Sequence, residues 1–181
     1  MKRVIRKIKK LWYTYTGNED AFLELKIQQF REAGGVCGNN FKFYCNMPGE
    51  PFLVTIGDDV TIAGGTHLLT HDNSVIKCEL DATDYFGRIT IGDSCFIGMN
   101  SILLPGVELG DHTIVGAGSV VTNSFPEGNV VIAGNPAKTI CTVEEFRTKK
   151  QHLCVNLDVE NRRQYKRGYI LSLPASMLER K

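Results

Sequence analysis

Aliphatic residues recur every six positions through the middle of the chain, and this period constrains the fold more than any other feature. Six of them follow one another without a slip: Ile91, Ile97, Leu103, Leu109, Val115 and Val121. The spacing fits neither an α-helix, whose period is about 3.6 residues, nor a hairpin sheet, in which side chains alternate. An earlier stretch repeats the pattern with Ile56, Ile62 and Leu68.

A period of six predicts a solenoid of short, flat β-strands. One aliphatic side chain then points inward on each face, and three faces make a coil of about 18 residues that stacks on the next at the usual strand spacing. Glycine often follows the aliphatic residue, because the corners need a backbone free of Cβ clashes. Examples are Gly92, Gly98, Gly110 and Gly116. We therefore expect an all-β solenoid of parallel strands.

The repeat is interrupted between Leu68 and Ile91, since their separation of 23 residues is not a multiple of six. The segment 70–88 is therefore predicted to leave the coil as a loop. It begins with Thr70-His71-Asp72-Asn73 and ends with Asp84-Tyr85-Phe86-Gly87-Arg88. Long ordered loops in compact folds usually carry function, and this one is rich in groups that can hydrogen-bond a polar ligand.

Helical patterns flank the repeats. An amphipathic run over 21–33 follows Asn18-Glu19-Asp20 and ends at Gly34-Gly35, so it has a cap, a periodic body and a C-terminal glycine. We expect this helix to cover one end of the solenoid. A capping-box pattern at 142–145 opens a second helix that ends near Leu153. The predicted organisation is a basic segment and helix (1–35), a solenoid (36–141), and a C-terminal helix and tail (142–181).

Charge and cysteine content exclude several classes of protein. Lys and Arg number 21 and Asp and Glu 20, a net charge of +1 that is unlike a dedicated nucleic-acid binder. The first ten residues are strongly basic, and apolar side chains among residues 1–15 leave a weak contact with a membrane surface open. No apolar run suits a transmembrane helix or a secretory signal, so we expect a cytoplasmic protein. The cysteines form no zinc-binding spacing, and we expect no metal.

Four motifs, taken in their order along the chain, resemble the hexapeptide-repeat acyltransferases. The motifs are Thr70-His71-Asp72, Ile97-Gly98-Met99-Asn100-Ser101, Val115-Gly116-Ala117-Gly118-Ser119-Val120-Val121-Thr122 and Ala133-Gly134-Asn135-Pro136-Ala137-Lys138. Within that family they resemble the maltose and galactoside acetyltransferases and the capsule or lipopolysaccharide O-acetyltransferases. The resemblance implies a left-handed parallel β-helix, a homotrimer with active sites between neighbouring subunits, and acetyl-CoA as the acyl donor.

The resemblance also implies roles for individual residues. His71 is expected to be the general base that accepts a proton from a hydroxyl of a sugar or polysaccharide precursor. The backbone N–H of Met99 is expected near the thioester oxygen, where negative charge develops. Coenzyme contacts are expected from Gly98, Met99, Gly116, Ala117, Thr122, Pro136 and Lys138. Acceptor contacts are expected from Asp72, Asn73, Asp84 and Tyr85.

Other functions stay open at this point. A metal hydratase of the γ-class carbonic anhydrase kind shares the β-helix, and zinc would need three protein ligands and an open position. His67, His71 and His112 are the candidates within the repeats. A non-catalytic trimeric scaffold would keep the fold without the activity. Among acyltransferases, an amino sugar, an antibiotic or serine is an alternative acceptor.

Overall fold

The computed structural model describes residues 19–157 and 166–178, so the predicted membrane contact of residues 1–15 lies outside the described residues. The chain divides into two compact units, Met1–Val143 and Glu144–Lys181. The described part of the first unit begins with a helix, α1 (Glu19–Glu32), and continues with short strands. These are β1 (Val36–Cys37), β2 (Lys42–Phe43), β3 (Val54–Ile56), β4 (Thr61–Ile62), β5 (His67–Leu68), β6 (His71–Asp72), β7 (Tyr85–Phe86), β8 (Ile89–Ile91), β9 (Phe96–Ile97), β10 (Ile102–Leu103), β11 (Glu108–Leu109), β12 (Ile114–Val115), β13 (Val120–Val121), β14 (Val130–Gly134) and β15 (Ala137–Thr142).

Three sheets contain all of these strands except β6 and β7, and the chain visits the three in turn over β3–β5 and again over β8–β13. Their orders are β1-β3-β8-β11, β2-β4-β9-β12-β14-β15 and β5-β10-β13. Neighbours pair in parallel except for β14 and β15. From β8 to β13 the chain returns to the same sheet after 18 residues, as the pairs Ile91–Leu109 and Leu103–Val121 show. We call one such circuit a rung.

The repeated aliphatic side chains form the core, as predicted. The six residues of the uninterrupted series are at most 1% exposed, and Ile56, Ile62 and Leu68 are at most 3% exposed. Five hydroxyl side chains are also buried, and four of them donate a hydrogen bond to a backbone carbonyl, which offsets the cost of burying a polar group. These four hydroxyls belong to Thr66, Ser101, Thr113 and Ser119.

Glycine is required at the corners because neighbouring rungs approach closely. A Cβ at Gly92 would lie 2.4 Å from Oδ1 and 2.7 Å from the backbone nitrogen of Asp111. That Oδ1 accepts the backbone N–H of Asp93 at 2.8 Å, so the carboxylate of one rung binds the corner of the preceding rung. The left-handed backbone occurs two residues after each such glycine, at Ser94 (φ 55°) and His112 (φ 56°). Lack of space, rather than a positive φ, therefore selects Gly92.

The first rung is covered by α1. Phe30 of this helix is fully buried, with its ring centroid 5.5 Å from that of Phe43 and 6.3 Å from that of Phe41. Phe43 belongs to β2, which is the terminal strand of the six-stranded sheet. The prediction that the N-terminal helix covers one end of the repeats is confirmed. At the other end of that sheet, β15 folds back antiparallel on β14.

The described part of the second unit consists mainly of helices. The predicted second helix, α2, begins at Val143 and ends at Lys150, and a 3-10 turn continues it over Gln151–Leu153. Two short helices follow, α3 (Lys166–Ser172) and α4 (Ala175–Leu178). Among the helices of the two described ranges, none is long and apolar enough to cross a membrane.

Candidate active site

The segment 70–88 leaves the rungs and folds back on itself. Its strands β6 and β7 pair antiparallel, with His71 opposite Phe86 and Asp72 opposite Tyr85. The N–H of Gly87 donates to the carbonyl of Thr70 at 3.0 Å and closes the base of the loop. Residues directly opposite one another share a face of a β-ribbon, and successive residues alternate. His71 and Phe86 therefore occupy one face of this ribbon, and Asp72 and Tyr85 occupy the other.

His71 is held by Glu50, a residue that the sequence patterns did not single out. The distance from His71 Nδ1 to Glu50 Oε2 is 2.8 Å. The Thr70 hydroxyl donates to the same carboxylate oxygen and accepts the backbone N–H of Glu50 at 3.2 Å. Because a carboxylate can only accept, Nδ1 carries the proton of this hydrogen bond, and Nε2 of the neutral ring keeps its lone pair.

The ring of His71 is therefore oriented but accessible. The side chains of His71 and Glu50 are 42% and 21% exposed. Gly49 leaves the space behind the ring open, because a Cβ there would lie 3.3 Å from His71 Cε1. The ring of Phe86 lies beside it, with 5.8 Å between the centroids. A ring fixed at Nδ1 and open at Nε2 can accept a proton from a bound ligand.

The carboxylates around His71 make it a stronger base. The hydrogen bond and charge of Glu50 raise the pKa of His71 above its ordinary value, and Asp84 and Asp72 add to the increase. In the opposite direction, the hydrogen bonds from Thr70 and His71 hold the pKa of Glu50 below its usual range. The pair is thus a carboxylate beside an imidazole that binds protons more tightly than free histidine does.

The other predicted acceptor residues belong to the same loop. Asp72 Oδ1 accepts the backbone N–H of Ser74 at 2.8 Å, which lowers the pKa of Asp72. The Tyr85 hydroxyl lies 3.4 Å from Asp72 Oδ2, so these two side chains brace the ribbon across its strands. Asn73 is exposed and precedes the 3-10 turn Ser74–Lys77, and Asp84 is half-buried beside β7.

The predicted coenzyme contacts begin at a corner after the six-stranded sheet. The N–H of Gly118 donates to the carbonyl of Met99 at 2.8 Å, so Met99 and Ala117 lie on adjacent rungs. Within the described residues, neither the Met99 nor the Ala117 amide has a hydrogen-bond acceptor. Both side chains are exposed. Two free N–H groups on adjacent rungs can bind the polar atoms of an extended ligand.

Gly98 and Gly116 directly precede Met99 and Ala117 at this corner. Gly98 is buried, and a Cβ there would lie 2.5 Å from the backbone nitrogen of Ala117. A Cβ at Gly116 would lie 2.9 Å from that of Ala133, which places the β14–β15 hairpin next to the corner. Exposed Pro136 and Lys138 belong to this hairpin, which has a cis peptide bond between Asn135 and Pro136. Thr122 is exposed after β13.

One chain does not bring His71 and Met99 together. Leu68 pairs with Leu103, and the chain leaves the rungs just beyond this pair to form the loop with His71, whereas Met99 precedes β10 at the opposite end of the same face. At about 3.3 Å per residue, the length of that face separates the two residues by roughly 20 Å. Within one chain, the histidine and the free amide therefore lie too far apart to contact the same ligand atom.

The histidines weighed as zinc ligands lie on different parts of the rungs. His67 is exposed on β5, and His112 occupies the corner before β12. Over the ranges 19–157 and 166–178, no three His, Cys, Asp or Glu side chains are grouped so that they could hold a metal ion.

Comparison with known proteins decides the family. Residues 88–123 match the family model described as bacterial transferase hexapeptide (six repeats). Protein CapG of Staphylococcus aureus is 40% identical over 156 residues, which cover 82% of this chain and 88% of CapG. The chain belongs to the hexapeptide-repeat acyltransferases. The resemblance inferred from the four motifs is thereby confirmed.

Two further comparisons connect this acyltransferase with sugar acetylation in other proteins. The galactoside O-acetyltransferase of Escherichia coli is 33% identical, over 72% of this chain and 64% of that enzyme. A solved galactoside acetyltransferase in complex with coenzyme A is 34% identical, with a TM-score of 0.55. The match covers 64% of this chain and 58% of that one.

Proposed function

We propose that this hexapeptide-repeat acyltransferase transfers an acetyl group from acetyl-CoA to a hydroxyl of a sugar or polysaccharide precursor. The observation that carries the proposal is the pair of His71 and Glu50 at the exit from the rungs, because it leaves Nε2 open to a ligand. The relatives support the choice of substrates, since one is a galactoside O-acetyltransferase and a solved galactoside acetyltransferase has coenzyme A bound.

His71 acts as the general base of this reaction. A sugar hydroxyl has a pKa far above 7, so it attacks a thioester carbonyl efficiently only if a base accepts its proton as the C–O bond forms. Nε2 takes that proton, and the Glu50 carboxylate stabilises the imidazolium that results. When the C–S bond breaks, the same proton passes from Nε2 to the departing thiolate. The products are the acetyl ester and free coenzyme A.

The free amides of Met99 and Ala117 bind the acyl donor and stabilise the charge that develops on it. The N–H of Met99 donates to the thioester oxygen as it gains negative charge, a contribution worth about 10²–10³-fold in comparable sites. The N–H of Ala117, one rung away, binds the pantetheine arm, and the lack of side chains at Gly98 and Gly116 allows that arm to lie close to the backbone. Thr122, Pro136 and Lys138 contact the adenosine end, where the Lys138 ammonium pairs with phosphate.

The complete site lies between subunits of a homotrimer. We infer that the rungs wind as a left-handed β-helix over 36–141, flanked by the segments 1–35 and 142–181. His71 and Met99 lie at opposite ends of one face, so His71 of one subunit works with Met99 of its neighbour. The loop 70–88 faces the acceptor, with Asp84 near the base, while Asp72, Asn73 and Tyr85 shape the ribbon. Since acetyl-CoA is the donor, the reaction is placed in the cytoplasm.

Thiol release from acetyl-CoA tests this proposal. The purified protein is supplied with a panel of sugars, nucleotide sugars and short capsule fragments, and acetylated product is identified by mass spectrometry. We expect acceptor-dependent release, lowered about 10²–10⁴-fold in His71→Ala, as for loss of a general base. His112→Asn is the matched control, because it removes another exposed histidine. The backbone of His112 has a positive φ, a conformation that asparagine adopts readily. The activity of His112→Asn should stay within twofold of the wild type.

Two results would contradict the proposal. Equal acceptor-dependent release by the wild type and His71→Ala would remove His71 from the chemistry. Failure of the wild-type protein to bind coenzyme A would remove acetyl transfer itself, and metal analysis of the purified protein would then test the hydratase alternative.

A further inference from the structure

The ring of Phe86 is exposed directly beside the proposed base. Phe86 is 60% exposed, whereas the inward-facing aliphatic side chains of the rungs are almost completely buried. Its position is fixed by the backbone, since β7 pairs it directly with His71. The two rings lie 5.8 Å apart at an interplanar angle of 48°. An apolar surface is therefore held next to the point where the acceptor hydroxyl must lie.

The surroundings of this ring indicate what it binds. Glu50 lies 2.8 Å from the His71 ring and half-buried Asp84 directly precedes β7, so the site offers hydrogen-bond acceptors and repels an anionic group. A pyranose fits both features. Its hydroxyls donate to carboxylates, and one face of its ring carries polarised C–H groups that are attracted to the electron-rich face of an aromatic ring.

We propose that Phe86 is the stacking platform for the sugar ring of the acceptor, and that it selects an uncharged pyranose with an open C–H face. This inference rests on the proposed function and adds a specificity-determining residue to it. Tyr85 does not take this role, because the β-pairing places it on the opposite face of the ribbon, against Asp72. The platform and the base share one face, so stacking the sugar ring brings one hydroxyl to Nε2.

The test compares a cyclic acceptor with an open-chain acceptor. Methyl β-galactopyranoside presents a rigid C–H face, whereas galactitol carries similar hydroxyls on an open chain. With acetyl-CoA as donor, we expect Phe86→Ala to lower kcat/KM for the galactoside about tenfold, mainly through KM, as for loss of one aromatic stacking contact. Activity with galactitol should change less than twofold. Phe86→Trp keeps an aromatic face and should retain most of the galactoside activity.

Phe52→Ala is the matched control, because Phe52 is also 60% exposed but lies against Gly34 at the end of α1. Binding is measured separately by saturation-transfer NMR with the galactoside and no donor. The wild type should saturate most strongly the H1, H3 and H5 protons of the C–H face, and Phe86→Ala should lose that signal. Sedimentation of each variant reports whether its oligomeric state is unchanged.

Each alternative result has a definite meaning. The platform is refuted if Phe86→Ala behaves like Phe52→Ala, or if it lowers galactoside and galactitol activity equally while changing the oligomeric state, since Phe86 would then be covered by a second copy. Acetylation of acyclic or amine acceptors alone also refutes it, but leaves acetyl transfer intact. If no acceptor reacts, the proposed reaction fails, and loss of the NMR signal in Phe86→Ala still supports the platform.

Discussion

Replacing Glu50 by glutamine removes the charge beside His71 while keeping the shape of the side chain. The glutamine oxygen can still accept the proton of His71 Nδ1, so the ring keeps its orientation. What is lost is the negative charge that raises the pKa of His71 and stabilises its protonated form. Glu50→Gln therefore separates the electrostatic part of the interaction from the positional part, which Glu50→Ala removes together with it.

The expected effect has two parts. General-base catalysis is worth about 10²–10⁴-fold. Because the pair is exposed and screened by solvent, loss of the charge alone should lower the plateau of kcat only about two- to fivefold. The midpoint of the rise in kcat on the acid side of the pH profile should also change. Wild-type activity rises with pH through a His71 pKa above the ordinary 6.5, since only the neutral ring is a base. In Glu50→Gln that midpoint shifts to lower pH.

The assay is a pH profile of kcat for thiol release at saturating acceptor. Glu50→Ala serves as comparison and should lose more activity than Glu50→Gln, because the ring loses its anchor as well. An acid limb at the same pH in the wild type and Glu50→Gln would refute the assignment of Glu50 as the group that sets the basicity of His71. An unchanged plateau of kcat in Glu50→Gln would refute it as well.

Stability gives an independent check on the same pair. The raised pKa of His71 contributes stability that is present below the unfolded pKa near 6.5 and is lost as pH rises through the folded pKa. The lowered pKa of Glu50 contributes stability that is present above the unfolded pKa near 4.5 and is lost at lower pH. The difference in Tm between the wild type and Glu50→Gln should therefore be largest between these two values and should shrink as pH rises through the raised pKa of His71.

Three further predictions concern the rungs. Gly98→Ala places a Cβ 2.5 Å from the nitrogen of Ala117 and should destabilise the protein by about 1–3 kcal/mol in chemical denaturation; an unchanged midpoint would contradict the close approach. Leu103→Ala removes a fully buried side chain and should cost about 2–5 kcal/mol, whereas a cost under about 1 kcal/mol would mean that the core position is wrong. His112→Gly relieves a positive φ of 56° and should raise the free energy of unfolding by up to about 1 kcal/mol; a lower Tm would count against that conformation.

The sequence predicts the repeated core and the loop because burial imposes its period directly on the residues. Each inward position from Ile91 to Val121 is fully buried, and the break in register marks the segment where β6 and β7 form. Glu50 could not be found this way. The first rung is irregular, since Cys37 pairs with Ile56 at a separation of 19 residues and Glu50 bonds Thr70 at 20. An offset of 18 would have placed Phe52, not Glu50, beside Thr70.

The strand register, and not the sequence motifs, also shows that the two parts of the proposed site lie at opposite ends of one face of the rungs. Sequence motifs give the order His71, Met99, Ala117 along the chain, but the pairing of Leu68 with Leu103 decides that His71 and Met99 are far apart. The same is true of Phe86, whose closeness to His71 depends on a two-residue antiparallel pairing within a loop. Such pairings carry no periodic signal.

Complementation between two inactive variants tests the shared site most directly. Met99→Pro removes an N–H that has no acceptor within the described residues, and Met99→Ala, which keeps the N–H, is its active control. His71→Ala removes the base. Differently tagged subunits are co-expressed, and mixed trimers are purified through both tags. In any mixed trimer of a cyclic assembly, one interface of the three joins an intact His71 to an intact Met99, so activity should recover to about one third of the wild type. Mixed trimers as inactive as the two homotrimers would contradict a site built between subunits.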